Sequence, residues 1–167
     1  MGVVQDSYPY PSSPNVSAVM RRNLKTESKP EVLLRSQLHR RGLRYRKNKA
    51  VRVGDLVTYP DVVFGSARIA VFVDGCFWHK CPEHGTQPKA NSLYWREKLE
   101  RNVARDRRVD AAMTARGWRV VRVWEHESPD RAASMVHELV AEKLGTGRAG
   151  RHLKGLSPGA RACVINM

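Results

Sequence analysis

The chain has 167 residues and carries 30 Lys and Arg against 16 Asp and Glu, for a net charge of +14. That length fits one domain with a single core, and the charge points to a polyanionic partner, DNA or RNA, bound through phosphate neutralisation and counterion release. Three cysteines with no signal-like apolar core in residues 1–20 argue against a secreted disulfide scaffold, and no apolar run approaches membrane-spanning length. The expectation is a soluble cytoplasmic protein working at the nucleoid, monomeric by default.

Residues 1–16, rich in Pro, Ser and Tyr, read as a flexible arm, residues 17–145 as the folded domain, and the Gly- and Arg-rich residues 146–167 as a disordered basic tail. A first helix is predicted from about Lys29 to Arg41. Ser28 and Glu31 have capping-box spacing, Pro30 suits a first turn, and Gly42 stops it. Leu43–Arg46 and Ala50–Val53 are short strand candidates. Asp61–Phe64, a Gly65-Ser66 turn and Ala67–Val73 read as a hairpin. The longest helix is predicted over Asn91–Arg116. Trp95, Leu99, Asn102, Val103, Asp106, Val109 and Met113 recur along one face of it. Trp118–Trp124 reads as a strand and Pro129–Leu144 as a last helix. Basic residues run through these periodic segments, from Arg96 to Arg108 and from Arg116 to Arg122, so the charge is not confined to a tail. The order predicts an α/β domain, a small mixed sheet flanked by helices.

The segment Asp74-Gly75-Cys76-Phe77-Trp78-His79-Lys80-Cys81-Pro82-Glu83-His84 concentrates the chemistry. Cys76, Cys81 and His84 have the spacing of a structural zinc site, which needs a fourth ligand. His126, just past the strand Trp118–Trp124, is the best remaining candidate, with Glu83 and His79 also near. Unliganded thiols and surface histidines are the plain alternative.

Among the carboxylates, Asp61 opens a strand and Asp106 lies on the inward stripe of the long helix. A buried aspartate needs a partner, and His79 is an apt one, since Asp–His pairing orients an imidazole for proton transfer. Asp61 could equally be a turn residue, and Asp106 could pair with Arg105, Arg107 or Arg108. Glu31 has a structural role as a capping-box residue and could also face the site. Phe77 and Trp78 could project from a metal-held loop as wedges between base steps, or fill core.

Several segments together resemble the very short patch repair (Vsr) DNA mismatch endonucleases. They are Met20-Arg21 with Lys29-Pro30-Glu31, Tyr59 to Phe64, Val73 to His79, Asn102-Val103-Ala104-Arg105-Asp106-Arg107-Arg108, and Gly117-Trp118-Arg119-Val120 through Trp124-Glu125. The resemblance spans about residues 17–127. It implies a fold like type II restriction endonucleases of the Pro-Asp…(Asp/Glu)-x-Lys class. It also implies nicking of one strand 5′ of the thymine in T·G mismatches, which arise by deamination of 5-methylcytosine.

By the same resemblance Asp61 binds catalytic magnesium, His79 transfers a proton, Asp106 orients it and Glu31 supports the site. Cys76, Cys81, His84 and His126 match zinc positions. Phe77 and Trp78 match intercalating aromatics, and Met20 a wedge from the N-terminal arm. The nuclease class would place a lysine where Cys76 stands, and His79 takes over that role. The family often has a histidine at the position of Asp74, where an aspartate could bind metal directly, and Gly-Arg where Thr58-Tyr59 stand. The implied partner is double-stranded DNA containing a T·G mismatch; docking of other mismatch-repair proteins is left open. Two rivals stand beside this reading: a nickase or defence nuclease of the same fold with another target, and a zinc DNA-binding module without catalysis.

Overall fold

The structure, a computed structural model, describes residues 27–145. The expected arm, the basic tail, Met20 and Cys163 lie outside the described residues. The elements are α1 (Lys29–Arg40), β1 (Arg46–Lys47), β2 (Val51–Val53), β3 (Leu56–Thr58), β4 (Val62–Phe64), β5 (Ile69–Asp74), α2 (Ser92–Thr114), β6 (Arg119–Trp124) and α3 (Pro129–Lys143). It is a small mixed α/β fold.

One sheet has the order β1-β4-β5-β6, with β2 and β3 forming a separate pair. β4 runs antiparallel to β1 and β5, whereas β6 runs parallel to β5. The parallel pair is joined through α2, as a parallel connection requires a crossover. Alternation along the strands sorts their side chains onto two faces. Val62, Phe64, Ile69, Val71, Val121 and Val123 pack with Leu34 and Leu38 of α1 and with Ala132, Ala133, Val136 and Val140 of α3. Val63, Ala70 and Val120, on the opposite face, pack with Val109 and Met113 of α2 and with Val51 and Val53 of the β2–β3 pair. Helices therefore cover both faces, and the sheet's ends are left for chemistry.

Local signals explain the helix limits. Glu31 Oε1 accepts from the Ser28 hydroxyl at 2.8 Å and from the Ser28 backbone N–H at 3.3 Å, which fastens the start of α1. The chain leaves α1 at Gly42 (φ +76°), where the Leu43 N–H reaches the Leu38 carbonyl at 3.2 Å in a Schellman-type closure.

One expectation fails in detail, and another holds but was incomplete. The strand expected at Leu43–Arg46 begins only at Arg46, because Leu43 and Tyr45 pack against the core from a loop instead of joining a ladder. Ala50–Val53 is only half of a hairpin: Leu56–Thr58 pairs with Val51–Val53 around Gly54-Asp55, a turn dipeptide that should have flagged the partner. Among the described residues, no helix is long and apolar enough to cross a membrane.

Candidate active site

The acids and the metal-type ligands gather at one end of the sheet, and strand direction is the reason. β4 and β5 are antiparallel, so the residue before β4 faces the end of β5. Asp61 Oδ2 accepts the Val73 N–H at 2.7 Å. β5 and β6 are parallel, with Asp74 level with Trp124, so the loop after β5 meets the residues after β6. Ligand sites in open α/β sheets characteristically occupy the carboxyl ends of parallel strands.

The loop after β5 turns back on itself through His79 N–H to the Gly75 carbonyl at 3.1 Å and Cys81 N–H to the Cys76 carbonyl at 2.9 Å. Glu125 Oε1 accepts the Cys76 N–H at 2.7 Å, and Asn102 Nδ2 donates to the Trp78 carbonyl at 3.2 Å. The loop is thus tied to both the β6 end and α2. A Cβ on Gly75 would come within 3.2 Å of the Trp78 ring, which favours glycine before the Cys-Phe-Trp run.

One donor atom from each of Cys76, Cys81, His84 and His126 can be chosen so that all lie within 4.8 Å of one another. Cys76 Sγ stands 3.0 Å from His126 Nδ1. Burial, then the neighbouring Cys81 thiol, pushes the Cys76 thiol up to about 12. A thiolate there needs a cation to offset it, and two thiols with two imidazoles suit a borderline-soft divalent ion. Of the other fourth-ligand candidates, Glu83 lies beside His126 at 3.6 Å, outside the close group, and His79 faces elsewhere.

His79 faces the acids. Its Nδ1 is 2.6 Å from Asp106 Oδ2 and 3.7 Å from Asp74 Oδ1. Burial works against the charge on Asp106, but the His79 hydrogen bond and Arg122 outweigh it and hold that carboxyl below its ordinary range. Arg105, one of the expected alternative partners, also reaches Asp106 at 3.2 Å, so the aspartate serves both.

Asp61 is raised to about 6, first by burial and then by the charges of Glu31 and Asp74, against the Val73 hydrogen bond. Such a crowded carboxylate suits a divalent cation, which would offset the repulsion. Glu31 is buried and paired with Arg35 at 3.4 Å while holding its cap, so it is both structural and close enough to act on Asp61.

Phe77 and Trp78 are half-buried and lean on the buried Trp95 of α2, with ring centroids 5.4 and 6.0 Å from it and 5.0 Å from each other. The rings neither disappear into the core nor stand free.

Two residues went unnoticed in the sequence. Arg122 grips both oxygens of Asp74, at 2.7 and 3.0 Å, and both oxygens of Asp110, at 2.9 and 3.0 Å. The available signal was faint: a single cation, Arg122, two positions from Val120 on an inward strand face, and acids four apart, Asp106 and Asp110, on the long helix.

Comparison with known proteins matches this frame. A family model described as DNA mismatch endonuclease Vsr matches residues 12–84. The type II nicking enzyme V.NaeI of Lentzea aerocolonigenes is 50% identical over 135 residues, covering 80% of this chain and 81% of that protein. The chain belongs to the Vsr family of endonucleases. The type II nicking enzyme V.XorIIP of Xanthomonas oryzae pv. oryzae is 42% identical over 119 residues, covering 69% of this chain and 82% of its own. The DNA mismatch endonuclease Vsr of Escherichia coli is 35% identical over 133 residues, covering 79% and 80%. As a Vsr-family member the protein is a DNA endonuclease, which sets aside the reading as a binding module without catalysis.

Proposed function

We propose that this Vsr-family endonuclease nicks one strand of duplex DNA 5′ of the thymine in a T·G mismatch, a repair reaction on deaminated 5-methylcytosine. The observation that carries it is the His79–Asp106 pair at 2.6 Å beside the crowded acid Asp61, at the same end of the sheet as the aromatic pair Phe77–Trp78. Among the similar proteins, one is named a DNA mismatch endonuclease and the others nicking enzymes, which supports the single-strand outcome.

In this reading the domain is a restriction-endonuclease-like core, and the terminal segments are its arm and tail. Cys76, Cys81, His84 and His126 hold a structural zinc, and Asp61 holds magnesium, with Glu31 shaping the acid group around it. Magnesium, when bound, would neutralise charge at the phosphate and make water a better nucleophile. Asp106 takes the Nδ1 side of His79, which leaves Nε2 to exchange a proton with the water or the leaving oxygen. Phe77 and Trp78, backed by Trp95, wedge into the weakly stacked mismatch step, and Met20 acts from the arm. Lys and Arg supply the sequence-independent phosphate contacts.

The test is nicking of matched, T·G and other mismatched duplexes with magnesium, in varied flanking sequence. Preferential cleavage 5′ of the mismatched thymine is expected; equal cutting of matched and T·G duplexes rejects mismatch repair. The names of the nicking-enzyme relatives favour a second reading, the same chemistry at a different target, and site-specific nicking of matched duplex would establish it.

A further inference from the structure

Arg122 lies in β6 on the face turned to α2, the face of Val120, Ala70 and Met113. An interior position of this kind ordinarily takes an apolar side chain, because burying charge is costly even when it is paired. Here the side chain is only 12% exposed and its guanidinium meets three acids. Its Nε and Nη2 form a fork on Asp110, and Nη1 covers both oxygens of Asp74. Nη2 also stands 3.6 Å from Asp106 Oδ1, the oxygen not facing His79. The Phe72 ring closes the arrangement, its centroid 4.8 Å from the guanidinium carbon.

Asp106 and Asp110 are one turn apart on α2, a spacing at which like charges repel. Arg122 lies between them and removes that repulsion. Burial alone would depress its proton affinity, yet Asp110, Asp74 and Asp106 drive it above the ordinary value, so the cation is permanent. Through Asp106 and Asp74 the network reaches His79, at 2.6 and 3.7 Å, and through the charge of Asp74 it also acts on Asp61.

We infer that Arg122 is a positioning residue, which by gathering Asp74, Asp106 and Asp110 fixes the angle at which Asp106 meets His79 and keeps Asp74 as a structural acid instead of a metal ligand. The inference rests on the proposed reading of His79 as the proton-transfer group. A planar fork can bridge acids on two elements at once; a lysine offers one point charge and cannot. Misplacement of a reacting group by about 1 Å can cost on the order of 10²-fold in rate.

The experiment uses full-length, metal-replete protein and two variants. Arg122→Leu with Asp110→Leu removes one charge of each sign at similar volume; Arg122→Lys keeps the charge and loses the fork. Melting temperature, KM for the nicked duplex, single-turnover nicking rate and the imidazole nitrogen NMR signals of His79 are measured together. A folded variant is expected to keep KM and lose about 10–100-fold in nicking rate. Its His79 should pass from a single Nδ1–H tautomer to a mixture. If the double variant does not fold, Arg122→Lys decides by the same two readouts. Parent-like nicking and an unchanged His79 tautomer in a folded variant overturn the inference. His79→Ala runs alongside: if it nicks normally, the proton-transfer reading itself falls, whereas an inactive His79→Ala beside parent-like Arg122 variants removes only the role of Arg122.

Discussion

Asp61 carries the sharpest consequence of its surroundings. Its carboxyl sits near 6 in the folded protein against an ordinary value of 3.8, first because it is buried and then because Glu31 and Asp74 repel its charge. Between those values the folded chain holds a proton that the unfolded chain has released, so stability falls as pH rises through this window. Above about pH 6 the full penalty applies, up to about 3 kcal/mol. Asp61→Asn keeps an oxygen for the Val73 N–H and removes the charge. It should raise the melting temperature of magnesium-free protein at pH 7–8 and do little at pH 4; equal melting curves at pH 7 would contradict the crowding. The same variant, like His79→Ala, is expected to lose nicking by about 10²–10⁴-fold while retaining duplex binding. Gel-shift and nicking assays on one preparation check it, and wild-type turnover by either variant removes that residue from the proposed site.

The loop between β5 and α2 is where an element's shape depends most on a bound ion. Its ligands come from two places, Cys76, Cys81 and His84 within the loop and His126 after β6, so a zinc there would add a further tie between the loop and the paired end of β6. One zinc per chain is expected by metal analysis. Chelation should lower the melting temperature, because closed structural zinc sites contribute folding energy directly. Carefully purified native protein without zinc would refute the assignment, and retained zinc in His126→Ala would move the fourth ligand elsewhere.

The same loop carries Phe77 and Trp78 against Trp95. Half-buried, and meeting Phe77 edge-on and Trp95 at a tilt, Trp78 should cost less on truncation than the about 3–5 kcal/mol of a fully buried aromatic. Trp78→Ala is therefore expected to melt slightly earlier, keep non-specific duplex affinity, and lose preference for T·G. A large drop in melting temperature with unchanged discrimination in the folded fraction would leave Trp78 as packing only.

For the whole molecule, the net charge of +14 governs how DNA is found and held. Phosphate neutralisation releases counterions, so affinity for matched duplex should fall linearly in log–log plots against salt, with a slope near −0.9 per phosphate contacted. The ratio of T·G to matched affinity should change much less over the same range, because stacking and wedging release few ions. A ratio that collapses with salt would mean that charge, not the aromatic wedge, makes the distinction.

Much of the fold was legible in the residues, and the limits of that legibility follow from distance along the chain. Capping at Ser28 and Glu31, the stop at Gly42, the long periodic helix and the apolar runs of β5 and β6 are local matters. Nearest neighbours decide them, so the chain states them outright. The ligand-like spacing of Cys76, Cys81 and His84 is equally local. Leu43 and Tyr45 misled, because an apolar residue can satisfy its need for burial from a loop as well as from a strand. What sequence could only suggest, tertiary structure decided. The parallel register of β5 and β6 brings His126 to the cysteines, and the crossover of α2 lays Asp106 against His79. Arg122 went unread as a site residue because its place on the face of Val120 does not by itself name its partners. Its partners Asp74 and Asp110 lie 48 and 12 positions away, and only the pairing of strand face with helix face joins them. Buried charge has no local signature. Its low energy exists only once the opposite charges have been folded around it.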